Sequence, residues 1–291
     1  MTDVTVLGAG FMGAAIARVL MERGRTVTVW NRTPAKTERL REAGATVAEG
    51  FTDALTLSPV TISALSDYAA LVERLEPVAS LEGVDLVNLT TGQPHEADEL
   101  EALVTARGGR LLDGAIICYP SHIGTEKGVV KFSGPNELWE RHHELLELLG
   151  TGTDHLGEPV RLANVLDAAQ LGFYIPAIGA AMEAAAYAER EGLGFADLRP
   201  VLVHGLNVMT GFLAKREDMI AKNDFAAEDS PAEVYLAAMR GVVEAMDRAD
   251  MEPLLGRAVI RHLEEVQAAG RLDGDFAEIY RSLRESAGEQ E

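Results

Sequence analysis

The sequence is short of cysteine and of positive charge, and each shortage excludes a class of protein. Cys118 is the only cysteine among 291 residues. No disulfide can therefore form within the chain, and a reducing compartment, the cytoplasm, is expected. Lysine and arginine number 26 against 46 aspartate and glutamate residues, for a formal net charge of -20. That excess repels nucleic acid and anionic lipid, so neither is expected as a partner.

Two further absences concern metals and membranes. The 7 histidines show no spacing typical of a zinc site, so no metal is expected. No apolar run approaches the roughly 20 residues that a membrane-spanning helix needs, so a membrane protein is not expected. With 291 residues and 47% hydrophobic content, the chain is instead typical of a globular protein of about two domains.

The two halves of the chain differ in their pattern of apolar residues. Up to about Leu162, short β-branched runs alternate with charged helical stretches, which is typical of βαβ units and a mainly parallel sheet. After that point the segments are helical in pattern, beginning with a long run from Leu162 to Gly192. The sequence therefore predicts a Rossmann-type, doubly wound α/β domain over residues 1–161. A long interdomain helix begins the all-α domain predicted over residues 162–291.

A glycine-rich turn follows the first predicted strand. Gly8, Gly10 and Gly13 form the pattern G-x-G-x-x-G, with Phe11 and Met12 between the last two glycines. Such glycines permit a tight turn, close approach of a pyrophosphate and close packing of a helix on a strand. The free N–H groups of the helix N-terminus attract the anion. The position between a strand and a helix predicts a dinucleotide site rather than a purely structural turn.

The residues after the second predicted strand indicate which dinucleotide binds. An NAD enzyme usually places a carboxylate there to hold the ribose 2′-hydroxyl. This chain has Asn31, Arg32, Thr33 and Lys36 instead. Two cations and a hydroxyl suit a 2′-phosphate, although a threonine before proline is also typical of a helix cap. NADPH is predicted over NADH.

The long helix carries a carboxylate, Asp167, among alanines and leucines. Burying a carboxylate is costly unless it is paired or protonated. Asn164, Asp167 and Tyr174 share one helical face, because residues three and seven apart lie in line. From the pattern alone two interpretations stay open. The stripe is either a catalytic face at an interdomain cleft, or a partly solvated helix start whose carboxylate is favoured by the dipole.

The chain resembles the imine reductase (reductive aminase) family, which is related to the β-hydroxyacid dehydrogenases. The resemblance spans nearly the whole chain and rests on the order and spacing of six stretches. These are LGAGFMG, VWNRTPAK, VNLTTGQP, LLDGAIICYPSHIGTEKGVVKFSG, LDAAQLGFY and GRLDGDFAEIYRSLR. It implies NADPH-dependent reduction of cyclic imines, with reductive amination of ketones by amines as a related activity. It also implies a homodimer that swaps helical domains and shares its active sites.

The resemblance implies a catalytic role for Asp167. The related dehydrogenases have a lysine at this position, but no lysine occurs between Lys131 and Lys215. An anion or a carboxylic acid suits an iminium or an imine nitrogen, whereas a carbonyl reductase needs a cation or an acid. Tyr174 is the implied catalytic partner, although the family's partner usually comes one residue later, at Ile175. Pro176 follows inside the predicted helix.

The resemblance also implies binding roles. Leu65, Ser66 and Thr91 are expected along the cofactor. The residues expected to line the substrate pocket are Tyr119, Pro120, His122, Ile123, Ile175 and Met239.

Two alternative functions stay open. One is reduction of a carbonyl or β-keto acid, as in the related dehydrogenases, against which the missing lysine argues. The other is a non-catalytic dimeric NADPH-binding protein. That hypothesis is disfavoured because Asp167 and Thr91 are retained.

Overall fold

The computed structural model describes residues 2–288 of the chain, which divides between Gly172 and Phe173 into two compact units. We call them the sheet unit and the helical unit. The sheet unit holds eight strands: β1 (Val4–Leu7), β2 (Val27–Trp30), β3 (Thr46–Val47), β4 (Thr61–Ser63), β5 (Asp85–Asn88), β6 (Arg110–Ile116), β7 (Val130–Ser133) and β8 (Asp154–His155).

The strands form one sheet in the order β3-β2-β1-β4-β5-β6-β7-β8. Neighbouring strands run parallel except β7, which is antiparallel to β6. The chain reverses its direction of progress across the sheet between β1 and β4. In sheets of this kind a ligand binds beyond the carboxyl ends of the strands at that switch point. The predicted fold class is confirmed, and the short strand β8 was not anticipated.

Helices cover both faces of the sheet. Those of the sheet unit are α1 (Phe11–Glu22), α2 (Glu38–Glu42), α3 (Phe51–Ala54), α4 (Tyr68–Leu75), α5 (Pro94–Ala106) and α6 (Asn136–Leu146). Three short 3-10 turns lie at Pro34–Lys36, Pro120–His122 and Glu147–Leu149. Because both faces are covered, the strands β1, β2, β4 and β5 are continuous runs of buried residues, as is typical of parallel sheets. The side chains of β1 illustrate this: Val4 and Val6 join one apolar cluster, and Leu7 joins the other.

The remaining helices are α7 (Leu162–Arg190), α8 (Phe195–Lys222), α9 (Ala232–Arg248), α10 (Leu254–Ala268) and α11 (Glu278–Gly288). Helix α7 begins in the sheet unit, ends in the helical unit and continues through Pro176. The division between the units therefore falls within α7, after the predicted boundary at residues 161 and 162. That boundary stays a prediction.

Helix α7 corrects the expectation about long apolar runs. Its 29 residues include an 18-residue window with a mean hydropathy of 1.3, of which 6% is buried. By length and composition alone this helix is long and apolar enough to cross a membrane. The sequence pattern misses this because glycine, alanine and proline interrupt the run of large apolar residues without adding charge.

Candidate active site

The glycine-rich turn has the geometry that its sequence predicts. Gly8 adopts φ +103, and a Cβ at this position would lie 2.4 Å from the carbonyl oxygen of Ala64. A Cβ on Gly13 would lie 2.0 Å from the carbonyl oxygen of Gly8. A Cβ on Gly10 would meet nothing within 4 Å. Gly8 and Gly13 are therefore required by the protein's own packing, whereas the backbone at Gly10 borders open space.

That open space is a cleft of about 300 Å³ at the switch point. Its lining residues come from the ends of β1, β2 and β4, from the start of α1 and from α4: Gly8, Gly10, Phe11, Met12, Trp30, Asn31, Arg32, Thr33, Lys36, Ala64, Leu65, Ser66, Ala70, Glu73 and Arg74. The lining thus has three cationic side chains and one carboxylate, in a chain whose net charge is -20. An anion is the ligand that this arrangement favours.

Most of the predicted cofactor residues line this cleft, and two do not. Gly13 lies in the packing of α1 on the turn, as described above. Thr91 is exposed on the loop after β5 and is not among the lining residues. Arg74 and Glu73 were missed by the sequence analysis. They lie on α4, about forty residues after Arg32, and no local pattern places them at the cleft.

Asn31 lines the cleft and also stabilises the glycine-rich turn by hydrogen bonds. Its side-chain carbonyl accepts a hydrogen bond from the Ala9 N–H at 2.9 Å, and its amide group donates to the Thr33 carbonyl at 2.9 Å. Thr33 holds the cap position before the 3-10 turn, but its hydroxyl makes no cap hydrogen bond. The hydroxyl predicted to serve either a cap or a phosphate is therefore not used by the cap.

Asp167 is a buried carboxylate in the second turn of α7. It is 7% exposed, and the desolvation that accompanies burial raises its pKa. Among residues 2–288, none of the described hydrogen bonds or ion pairs reaches its carboxyl group. A carboxyl group with a raised pKa keeps part of its population protonated nearer neutrality and can act as a proton donor.

Asn164, one turn earlier on the same face, is also buried, at 1% exposure. Its amide donates to the Asp113 carboxylate at 2.6 Å and to the Tyr68 hydroxyl at 2.7 Å. Neither Tyr68 nor Asp113 was singled out from the sequence. A signal for Asp113 exists in the segment RLLDGAI, where a carboxylate stands in the middle of an apolar strand.

The residues expected to line a substrate pocket lie in different surroundings. Tyr119 is 61% exposed beside the 3-10 turn Pro120–His122, with its ring centroid 5.7 Å from that of His122. Ile123 is 3% exposed and belongs to the apolar cluster on one face of the sheet. Its side chain packs within that cluster, and its place in the substrate pocket stays a prediction.

Three of the predicted site residues belong to the helical unit. Tyr174 is 39% exposed and Ile175 is 60% exposed on α7. Met239 on α9 packs against α10. Its terminal methyl lies 3.3 Å from the point that a Cβ would occupy if Gly256 carried one.

Comparison with known proteins covers both parts of the chain. Residues 3–157 match the family described as the NAD binding domain of 6-phosphogluconate dehydrogenase. Residues 160–285 match the family described as NADPH-dependent reductive aminase-like, C-terminal domain.

Individual relatives agree with these matches. The chain is 30% identical over 247 residues to an NADPH-dependent reductive aminase of Aspergillus oryzae, covering 83% of each chain. A reductive aminase from Aspergillus terreus, solved in complex with NADPH and ethyl levulinate, superposes with a TM-score of 0.91 at 30% identity, covering 97% of this chain and 99% of that one. An imine reductase from Pseudomonas sp. superposes with a TM-score of 0.90 at 27% identity over the same shares. The resemblance seen in the sequence is confirmed, and the chain belongs to the family of NADPH-dependent reductive aminases and imine reductases.

Proposed function

We propose that this protein is an NADPH-dependent oxidoreductase that reduces C=N bonds, with Asp167 as the proton donor or the stabiliser of the iminium. The observation that carries the proposal is the buried Asp167 carboxyl, whose pKa is raised by desolvation. Reduction of an imine needs a proton at nitrogen as well as a hydride at carbon. A protonated Asp167 supplies the proton, and its carboxylate, once formed, stabilises a cationic nitrogen.

The cleft at the switch point fits NADPH. Gly10 leaves space for a pyrophosphate against the start of α1, whose first turn carries no acidic residue. Arg32, Thr33 and Lys36 line this cleft, and we assign them to the 2′-phosphate. When bound there, NADPH supplies the hydride. We assign Leu65, Ser66 and Thr91 to the cofactor side of the site on the resemblance to the family.

The reduction of a carbonyl by a lysine-assisted mechanism is the weaker alternative. The chain has no lysine between Lys131 and Lys215, and the buried ionisable group at the start of α7 is a carboxyl group. In its ionised form Asp167 would repel a developing alkoxide, whereas the same form stabilises an iminium.

The substrate class follows from two relatives. The reductive aminase of Aspergillus terreus has been solved with cyclohexanone and allyl amine, and the imine reductase of that organism with dibenz[c,e]azepine. We propose that imines, or ketones together with amines, are the substrates of this chain. The following stay proposed site residues on the resemblance alone: Tyr119, Pro120, His122, Ile123, Tyr174, Ile175 and Met239.

We further propose that the protein is a homodimer. Helix α8 has 28 residues, and Arg216 is its one buried residue. Large apolar side chains of α8 are exposed in the single chain: Val201 65%, Leu206 56%, Val208 59% and Leu213 55%. An exposed apolar surface of this extent marks an interface, and a second copy of the chain is the partner we assign. Sedimentation velocity should find a dimer at micromolar concentration, and a monomer there would contradict this. A cytoplasmic location stays a prediction from the single cysteine.

The function is tested by following NADPH oxidation with a cyclic imine of the 1-pyrroline type. We expect turnover by the intact protein and a loss of about 10²–10⁴-fold in kcat for Asp167→Ala, the usual contribution of a general acid. Asp98→Ala, which changes an exposed carboxylate of the sheet unit, is the control and should keep its kcat. Turnover that survives in Asp167→Ala would remove Asp167 from the mechanism. Tight NADPH binding without oxidation by any imine, ketone or amine would favour the non-catalytic alternative.

A further inference from the structure

A row of buried polar side chains crosses the centre of the sheet. Ser63, Asn88, Asp113 and Ser133 occupy paired positions on β4, β5, β6 and β7. Each of the four is 0% exposed. Side chains at paired positions lie on the same face of a sheet, so the row forms one continuous feature. Burying polar groups costs free energy unless they are hydrogen-bonded. Among the described residues the Ser63 hydroxyl has no partner, whereas Asn88, Asp113 and Ser133 are hydrogen-bonded.

Asp113 is the centre of these bonds. Its carboxylate accepts from the Tyr68 hydroxyl at 2.7 Å, from the Asn88 amide at 2.7 Å and from the Asn164 amide at 2.6 Å. Asn164 also donates to the Tyr68 hydroxyl, so three side chains from α4, β5 and α7 meet at one carboxylate. The sequence separations of 25 to 51 residues mean that Asp113 joins elements that the chain itself does not keep together.

The first turn of α7 is attached at two neighbouring positions of the row. Asn164 binds Asp113 on β6. On β7, the Ser133 hydroxyl donates to the Val160 carbonyl at 2.6 Å and accepts from the Ala163 N–H at 2.9 Å. Asp167 lies one turn beyond Asn164 on the same buried face. The position of its carboxyl group is therefore set by bonds that end three residues before it.

Tyr68 extends the network to two loops, of which the one at Ser66 lines the cofactor cleft. It is the first residue of α4 and follows Ser66, which lines the cleft, by two positions. Its ring packs against the loop after β5 so closely that a Cβ on Gly92 would lie 2.3 Å from two ring carbons. Thr91 immediately precedes that glycine. The Tyr68–Asp113 bond therefore connects both loops with the start of α7.

We propose that Asp113 is a positioning residue for the reaction, because its carboxylate holds the first turn of α7, and with it Asp167, in register with the loops at Ser66 and Thr91. The inference rests on the proposed function of Asp167. According to this inference, Asp113 fixes the positions of Asp167 and of the loops at Ser66 and Thr91, although its own buried side chain touches neither substrate nor cofactor.

The electrostatics agree with such a role. Burial raises the pKa of Asp113 to about 7, against the lowering effect of the hydrogen bonds from Tyr68, Asn88, the Gly114 N–H and Asn164. At neutral pH the network is therefore close to the point at which its central acceptor gains a proton. The anion also faces the N-terminal turn of α7, where the helix dipole favours a negative charge.

The experiment compares two buried carboxylates. Asp113→Asn is the test, and Asp85→Asn is the matched control, because Asp85 is 3% exposed at the start of β5 and binds Arg110, Arg141 and His142 instead of α7. With the imine assay, we expect Asp113→Asn to lower kcat by about 10–100-fold, the effect of a misplacement on the order of 1 Å. Its NADPH Kd should change far less than its kcat, because among the assigned cofactor residues the network reaches only the loops at Ser66 and Thr91. Asp85→Asn should lower Tm yet keep kcat within about 2-fold.

Two further measurements separate positioning from a general loss of structure. In an Asp167→Asn background, Asp113→Asn should change kcat by less than about 2-fold, because residues that act as one unit are not additive. Tyr68→Phe, which keeps the ring against Gly92, should cause a smaller loss in the same direction. Tyr68→Phe also tests the inference if the Asp113→Asn protein does not fold.

Hydrogen exchange gives a readout that does not need turnover. Amides at residues 162–168 should exchange at least about 10-fold faster in Asp113→Asn and Tyr68→Phe, and at the wild-type rate in Asp85→Asn. Equal loss of kcat in Asp113→Asn and Asp85→Asn, full additivity with Asp167→Asn, or unchanged exchange in α7 would each overturn the inference. If the wild-type protein reduces no imine, the proposed function fails, and the exchange result still decides whether Asp113 holds α7.

Discussion

In the sheet unit, two apolar clusters with 23 and 18 buried members cover the two faces of the sheet, whereas the cluster of the helical unit has four. Those four residues, Ala232, Leu236, Leu263 and Val266, belong to α9 and α10. Helix α8 takes no part in that cluster, although it is 28 residues long. Most helical stability in proteins comes from packing an apolar face rather than from propensity.

The difference teaches that the two units complete their folding in different ways. The sheet unit buries its apolar residues within one chain, and it also holds the glycine-rich turn, the cleft and Asp167. The helical unit leaves large apolar side chains exposed on α7 and α8. We therefore expect the stability of the first unit to be independent of protein concentration, and that of the second to depend on association.

The largest effect is expected from a cavity in the sheet unit. Phe132 is 0% exposed, so Phe132→Ala should lower the free energy of unfolding by about 3–5 kcal/mol. Phe195, on α8, is 49% exposed, and Phe195→Ala should cost less than about 1 kcal/mol in dilute protein. Urea unfolding followed by far-UV circular dichroism measures both losses, because helices of both units contribute to that signal, and the fluorescence of Trp30 and Trp139 reports separately on the sheet unit. Equal losses for the two variants would break the comparison.

A charge in the exposed apolar face of α8 should have the next largest effect. Leu206→Asp buries an unpaired carboxylate if α8 is an interface, so the dimer Kd should rise by about 100-fold or more, equivalent to about 3 kcal/mol. Leu57 in the sheet unit is 37% exposed, and Leu57→Asp should leave the dimer intact. Sedimentation velocity over a range of concentrations distinguishes the two. A Leu206→Asp protein that dimerises like the wild type would show that α8 is not the interface.

The free energy of unfolding of the sheet unit should depend on pH because of Asp113, which lies in that unit. Its pKa is raised from 3.8 to about 7 in the folded protein, so its stabilising contribution is present below about pH 4 and is lost as pH rises to 7. The free energy of unfolding should fall by about 2–3 kcal/mol between pH 5 and 8 on account of this group.

Asp113→Asn should remove that fall, because an amide does not ionise in this range. Asp85→Asn should show the same fall in the free energy of unfolding as the wild type. Burial alone would raise the pKa of Asp85, but His142 and Arg110 hold it below its usual range. Urea unfolding at pH 5, 6, 7 and 8 provides the measurement, and the same slope in all three proteins would contradict the prediction.

Substitutions of two glycines in the glycine-rich turn should have the smallest effect on stability. One should affect packing and the other NADPH binding. Gly13→Ala forces a methyl group to within 2.0 Å of the Gly8 carbonyl and should cost about 1–3 kcal/mol. Gly10→Ala enters open space and should leave the free energy of unfolding within about 0.5 kcal/mol while weakening NADPH binding by about 10-fold or more. Fluorescence titration with NADPH and thermal unfolding measure the two effects. Loss of stability in Gly10→Ala with unchanged NADPH affinity would show that the turn is only structural.

Local features of this protein were predictable from the sequence because they depend on near neighbours in the chain. The alternation of strands and helices, the turn at Gly8–Gly13, and the cations after β2 all lie within a few residues of one another. The face shared by Asn164 and Asp167 follows from helical periodicity alone. These features were enough to predict the fold class, whereas the family was predicted from the resemblance of six stretches along nearly the whole chain.

Other features depended on residues that are far apart in sequence, and only the tertiary structure decided them. Asp113 meets Tyr68 and Asn164 across separations of 45 and 51 residues, and no periodicity predicts which distant side chains share a buried space. The burial of Ile123 in the apolar cluster of one sheet face likewise depends on residues distant in sequence, such as Val6, Leu20 and Phe132. The exposure of α7 and α8 in the single chain could not be predicted from the sequence either. An apolar helix has the same sequence pattern whether its own chain or a second copy covers it.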